Sequence, residues 1–598
     1  MKTNGVEEYM EKKYYTDERN VQIVIALLKA HGIHRVIASP GTTNMTFVVS
    51  IQNDPWFQIW SSVDERSAAY LACGMAAETG EPVVLSCTGA TASRNYMPGL
   101  TEAFYRKLPV LAITSTRGNH RVGHLVDQQI DRRNTPNDIA MESVTIPMVK
   151  DAEDERMCEI EANKAILALK LNGGGPAHIN MYTKYSKDFS VKNLPHANTI
   201  YRHTIFDELP PIPKNGRIAV FVGAHANFTE KQVDAIDRFC ATHDAVVFCD
   251  HTSGYRGKYE VHFQICFGQQ RYVSPLKKVN LLIHIGEVSG SQYLPSFSHV
   301  WRVSPDGELR DTWGKLRRVF MMPEEEFFNR YSKEDSNHTD YLDALNTEIE
   351  KISSQIPELP FSNIWMAQHI YSKLPVGCEL HMGIYHSLRS YNFFKLPTSI
   401  QAKCNVGGFG IDGGVSTMIG ASFAHPEKLF IGVFGDLAFF YDMNVVGNRH
   451  VGNNVRILLI NNGKGNEFRN YKHPCYFLGE EAEDYVAAAR HYGNKSDVLV
   501  KNYAENLGYE YMTANSKETF LAVIDHFLAP ELTNQPMLLE VFTETPNESD
   551  ALETILNFAE GNKSGVSMVS KTKSVVKSAI RDTLGDNRIK AAKDFIKG

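Results

Sequence analysis

The chain has 598 residues, 43% hydrophobic and 22% charged, a length that at about 150 residues per domain calls for three or four domains and excludes a single small module. Its 62 basic and 69 acidic side chains leave a formal net charge of −7, so no overall positive field draws it to nucleic acid or an anionic membrane. Nine cysteines without a C-x-x-C pair argue against a disulfide framework or a cysteine zinc site and for reduced, buried thiols.

The opening MKTNGVEEYMEKKYYTDERN is polar, and no later run approaches the roughly 18 apolar residues of a spanning helix. A cytoplasmic protein without membrane or nucleic-acid partners is expected. NVQIVIALLKAHGI then reads as a helix, HRVIASPG as a strand ending in a turn, and EPVVLSCTGA and LPVLAITSTR as buried strands, the rhythm of a parallel α/β sheet. A glycine-rich stretch and the Pro-rich LPPIPKNG put a boundary between 185 and 215. RIAVFVGAH, the helix near TEKQVDAIDRFCATH, AVVFCD, VNLLIHIGEVSG and HVWRVSP make a second α/β block. PELPFSN opens a third with GCELHMG, LFIGVFGD and VRILLINN as strands. The predicted division is 1–190, 200–350 and 358–560, three α/β domains, followed by a basic extension over 561–598 with nine Lys or Arg against three Asp. That extension reads as a solvated helix docked on the acidic body or as a contact for a phosphate-bearing partner.

The most informative stretch is FGDLAFFYDMNVVGNRHVGNNVRILLINNGKGNEF. Gly435-Asp436 ends one apolar strand and Asn461-Asn462 the next, with 26 positions between Asp436 and Asn462. At the carboxyl edge of a parallel sheet, loops and helix N-termini present free N–H groups to phosphate oxygens. A carboxylate and an amide oxygen there suit Mg²⁺, which takes few protein ligands plus phosphates and water. A magnesium-diphosphate site is the physical reading. Nearly 400 residues earlier, Glu65 closes a strand-like segment and opens an Ala-rich helix, where alone it would be a capping acid. NVGGFGIDGGVSTMIGAS contains Gly408-x-Gly410-x-x-Gly413, a weak dinucleotide match without a clear apolar strand directly before it.

These elements resemble the thiamine diphosphate enzymes, whose signature is Gly-Asp-Gly followed some two dozen residues later by Asn-Asn; Leu437 replaces the last glycine. The resemblance implies Asp436, Asn462 and the main-chain carbonyl of Lys464 as metal ligands, with Gly435, Leu437, Ala438 and Phe468 beside the cofactor. Glu65 would hydrogen-bond ring N1′ of the aminopyrimidine, a donor role that burial would support by raising its pKa. Ile411 would wedge between the cofactor rings, with Gly408 and Gly410 allowing close backbone approach. SPG at Ser39, DERSAA, DQQID, GIDGGVST, GDLAFFYDMN and LLEVFTETPNESDALETI are similar to the family of 2-succinyl-5-enolpyruvyl-6-hydroxy-3-cyclohexene-1-carboxylate synthases over roughly residues 15–560. The resemblance implies pyrimidine-binding, central Rossmann-like and diphosphate-binding domains in that order, and a homodimer or homotetramer with sites shared between subunits.

Substrate positions depart from that family more than cofactor positions do. Of its carboxylate-clamping arginines, Arg117 and Arg389 have counterparts. Thr42 and Thr43 stand where the family has Ser-Arg, and Val406 where it has arginine. Charge-assisted bonds worth about 1.5–3 kcal/mol each are thereby lost. Gln128 matches an active-site glutamine or is a surface amide. Glu467 replaces an apolar residue, as a general acid/base for a new acceptor or as a helix N-terminal acid. Of the candidate proton shuttles His120, His124, His381, His386 and His473, only His386 lies in a segment expected to face the site. The expected activity is thiamine diphosphate- and Mg²⁺-dependent decarboxylation of a 2-oxo acid donor with transfer of the acyl fragment to a different, less anionic acceptor. Its rivals are a simple decarboxylase, an acetohydroxyacid-like ligase and a non-catalytic cofactor-binding protein. Thr43→Arg with Val406→Arg would then restore turnover of 2-oxoglutarate with isochorismate.

Overall fold

The computed structural model describes residues 13–132, 134–490 and 496–560; the basic extension lies outside them. Three sheets span Arg35–Tyr182, Tyr201–Met321 and Glu379–Phe542, and their strand pairs are parallel with helices between strands, the α/β class expected. Strands buried on both faces need continuous apolar runs, and Val110–Thr116 and Val455–Asn461 are buried at every position. The period of two sorts their side chains. In the first sheet Val84, Leu111 and Ile113 enter one core, and Val83, Leu85, Val110 and Ala112 the other.

The first sheet runs, in space, Gln58–Ser61, Arg35–Ala38, Val83–Thr88, Val110–Thr116, Ala177–Tyr182, Glu142–Ile146. The third runs Gln401–Lys403, Glu379–Met382, Phe430–Gly435, Val455–Asn461, Met537–Phe542, Glu510–Ala514. Numbered within each sheet, both follow 2-1-3-4-6-5, although no sequence repeat links them. In this order the chain leaves strands 1 and 3 in opposite directions, which opens a crevice outside their carboxyl ends. The seven-stranded second sheet shares one apolar core with the third: Val220, Leu282, Val433 and Leu458 belong to a single cluster. Gln269 Nε2 donates to the Ile555 carbonyl at 2.8 Å across that junction.

All nine cysteines are free thiols, seven of them buried. Among the described residues no helix is long and apolar enough to cross a membrane.

Candidate active site

At the crevice of the third sheet lies a cavity of about 270 Å³. One wall follows the strand Glu379–Met382, with Gly383, Tyr385 and His386; the other follows Phe430–Gly435, with Asp436, Leu437 and Ala438. Asn462, Lys464, Glu467 and Phe468 close it. Asp436 is 2% exposed and opens the helix Asp436–Val446. Its Oδ1 accepts the Leu437 N–H at 2.9 Å and its Oδ2 the Gly463 N–H at 2.8 Å, which ties the two strand ends together. Asn462 Oδ1 is buried without a hydrogen-bond partner. An orphaned buried oxygen is costly unless something binds it, and beside a carboxylate it fits a hard cation. A Cβ on Gly435 would meet nothing within 4 Å, so the strand end and the free N–H groups of the helix start leave room for a diphosphate. The donors therefore fit Mg²⁺ and a diphosphate. Among the described residues no cluster of three His, Cys, Asp or Glu offers another metal site.

Behind this wall lies a charged network. Arg389 Nη2 donates to Glu467 Oε2 in a short contact. Asn470 Nδ2 donates to the same oxygen at 3.0 Å and meets His386 Nε2 at 2.7 Å. His386 Nε2 also lies 3.4 Å from Glu467 Oε2. Burial pushes the His386 pKa down to about 4, against the pull of Glu467. For Glu467 burial acts upward, but the positive charge of Arg389, together with its hydrogen bond, outweighs it and holds the carboxyl below its usual range. Glu548 is 1% exposed, 4.0 Å from His386 Nδ1. Burial pushes its pKa up to about 7, despite bonds from the Thr543 hydroxyl and the Asn363 N–H.

The other predicted residues are distributed unevenly. Ile411 lines the cavity, whereas Gly408 and Gly410 lie in the exposed loop before it. Val406 is 3% exposed and packs in the same core as Leu388, so it does not border the cavity. An apolar side chain between the second and third sheets gains more from that core than from solvent. Thr43 is buried, its hydroxyl donating to the Ser115 carbonyl at 2.6 Å, and Thr42 is exposed. Gln128 is exposed with φ 54°. Arg117 lines a separate, larger cavity of about 720 Å³ at the carboxyl edge of the first sheet, with Arg121, Lys150 and Lys184. It is bonded to Asp127 at 3.0 Å and to the Tyr185 hydroxyl at 2.8 Å. Glu65 is half-buried rather than enclosed and accepts from Asn95 Nδ2 at 3.2 Å. Capping of its helix falls to Asp64, whose carboxylate accepts from Arg66 N and Ser67 N. Glu65 is not in the wall that holds Asp436.

Tyr385, Asn466 and Glu548 went unremarked in the sequence. Tyr385 holds φ 63° at the cavity, a left-handed conformation unusual for a tyrosine. Both Asn466 side-chain polar atoms are buried without partners. The acidic start of the helix Thr545–Asn557 was a usable signal for Glu548.

Residues 19–135 match the model of the N-terminal binding domain of the thiamine pyrophosphate enzymes. Over 556 residues the chain is 30% identical to 2-succinyl-5-enolpyruvyl-6-hydroxy-3-cyclohexene-1-carboxylate synthase of Phocaeicola vulgatus, covering 90% of this chain and 98% of that one. The same synthase of Bacteroides fragilis is 29% identical over 567 residues, with the same coverage. The chain belongs to the family of these synthases, within the thiamine pyrophosphate-dependent enzymes. Among solved structures it is similar to a thiamine diphosphate-dependent 4-hydroxybenzoylformate decarboxylase of Rhodococcus jostii, at 16% identity and TM-score 0.38, covering 88% of this chain and 99% of that one.

Proposed function

We propose that the protein decarboxylates a 2-oxo acid with thiamine diphosphate and Mg²⁺ and transfers the acyl fragment to an acceptor other than that of its synthase relatives. The observation that carries the cofactor reading is that buried Asp436 and the unpartnered Asn462 Oδ1 line one cavity at the switch point. Asp436, Asn462 and the Lys464 carbonyl would hold the metal, and the start of the helix Asp436–Val446 would bind the diphosphate. Bound thiamine diphosphate supplies a carbon nucleophile and an electron sink for decarboxylation. The chain's part is to hold Glu65 where its carboxyl proton can be donated to a ring nitrogen, to place Ile411 against the rings, and to hold neutral His386 and ionised Glu467 at the substrate end.

Two groups of observations support the finer points. Glu65 is absent from the cavity wall, while Val63 is 83% exposed beside it and Tyr441 is 70% exposed on the helix of Asp436. Large apolar side chains exposed at both edges suit a second copy, so a homodimer, or a tetramer of two, would bring Glu65 of one chain to Asp436 of another. At the substrate end, Arg389 is already paired with Glu467, which favours an acceptor less anionic than that of the relatives. A cytoplasmic location accords with the free thiols.

The test is CO₂ release by purified protein with Mg²⁺ and thiamine diphosphate from pyruvate, 2-oxoglutarate and oxaloacetate, with and without aldehyde or ketone acceptors. Release from at least one acid that depends on both additives, with a new carbon–carbon bond when the acceptor is present, is expected. Cofactor binding without release from any acid, acceptor present or absent, would overturn the reading.

A further inference from the structure

Arg389 is 8% exposed on the helix His386–Asn392, and its Nε has no hydrogen-bond partner among the described residues. Its Nη2 meets Glu467 Oε2. Glu467 forms part of the cavity wall and Arg389 does not, so the carboxylate stands between the guanidinium and the space where a substrate would lie. Among the described residues of the cavity wall, burial keeps His386 neutral and Lys464 Nζ is paired with Glu483 Oε1 at 2.6 Å. An anionic substrate group entering this end would meet the negative Glu467 first, with the positive charge of Arg389 behind it and already neutralised.

We propose that Glu467 determines the specificity of the cavity as an internal counter-ion: by occupying Arg389 it selects a substrate whose portion at this end is uncharged and hydrogen-bonding, and excludes one bearing a carboxylate there. The inference rests on reading the cavity as the substrate site. It differs from a proton-transfer role because it acts through charge and fit alone. Removing the carboxylate while keeping its shape would turn the same wall into an anion site, since a buried guanidinium without a counter-ion recruits one.

The experiment is calorimetric titration of the full chain, supplied with thiamine diphosphate and Mg²⁺, with glutarate and with its uncharged diamide. The wild type is expected to bind glutarate no more tightly than the diamide. Glu467→Gln should bind glutarate at least about tenfold more tightly than wild type with diamide binding unchanged, and Arg389→Gln added to it should abolish the gain. Glu467→Leu, which keeps no carboxylate and no amide, should show the same gain. Equal glutarate binding by wild type and both single variants, or a gain that survives loss of Arg389, would overturn the proposal. Titration needs no turnover, so a failure of the decarboxylase reading would show as missing CO₂ release while this result stayed legible.

Discussion

The first and third sheets have one topology and opposite interiors at their switch points. Where the third leaves Gly435 facing open space, the first packs Gly41 so that an added Cβ would fall 2.0 Å from Thr88 Cγ2, and Gly89 so that one would fall 2.7 Å from Arg132 Nη2. Arg132 fills that crevice, bonded to Thr114 Oγ1 and Asn180 Oδ1 at 2.6 Å each. The first edge instead presents Glu65 on a rim and a basic cavity further along. Topology supplies a crevice twice, and local side chains decide whether ligand or protein occupies it.

The sharpest break in the comparison would come from the first edge. Glu65→Gln is expected to lower CO₂ release by about 10²–10⁴-fold, the range of lost acid–base catalysis, while calorimetry finds cofactor affinity changed less than about tenfold. At the third edge Asp436→Ala should act on binding itself, weakening thiamine diphosphate with Mg²⁺ by about 150–5,000-fold, in line with the roughly 3–5 kcal/mol of an uncompensated charged site. A variant that bound cofactor normally would remove the diphosphate assignment.

Glu548 separates the edges by pH. Its folded pKa of about 7 lies above the ordinary 4.5. The unfolded chain therefore releases the proton first, and this group's contribution to stability falls as pH rises from near 4.5 to about 7, then levels off. Glu548→Gln mimics the protonated form. It should lose about 3 kcal/mol less stability than wild type between pH 5 and 8, as read from urea unfolding midpoints. The smallest effect distinguishes the two glycines: Gly41→Ala should cost about 1–3 kcal/mol from overpacking, and Gly435→Ala less than about 0.5 kcal/mol. Equal losses would erase the contrast between a filled and an open crevice.

The strands were legible because parallel strands buried on both faces leave uninterrupted β-branched runs, as in VRILLINN. Gly435-Asp436 and Asn461-Asn462 were legible as strand ends because the apolar runs stop there. What escaped depends on distance in sequence. Arg389 and Glu467 are 78 positions apart, and nothing local announces their pairing. Val406 was read against a relative's arginine, but its environment is set by the fusion of the second and third cores. An arginine placed there would be buried without a partner, so Val406→Arg is expected to lower the melting temperature rather than restore a clamp. Tyr385's positive φ is one that no residue preference predicts for a tyrosine.

The claim that both edges build one site across two chains is tested most directly by mixing. Glu65→Gln and Asp436→Ala chains, each inactive alone, would be co-expressed and hybrid assemblies assayed for CO₂ release. Hybrid dimers with sites shared between chains hold one intact site in two, so random mixing should restore about one quarter of wild-type activity. No recovery from hybrids shown to have assembled would contradict the account.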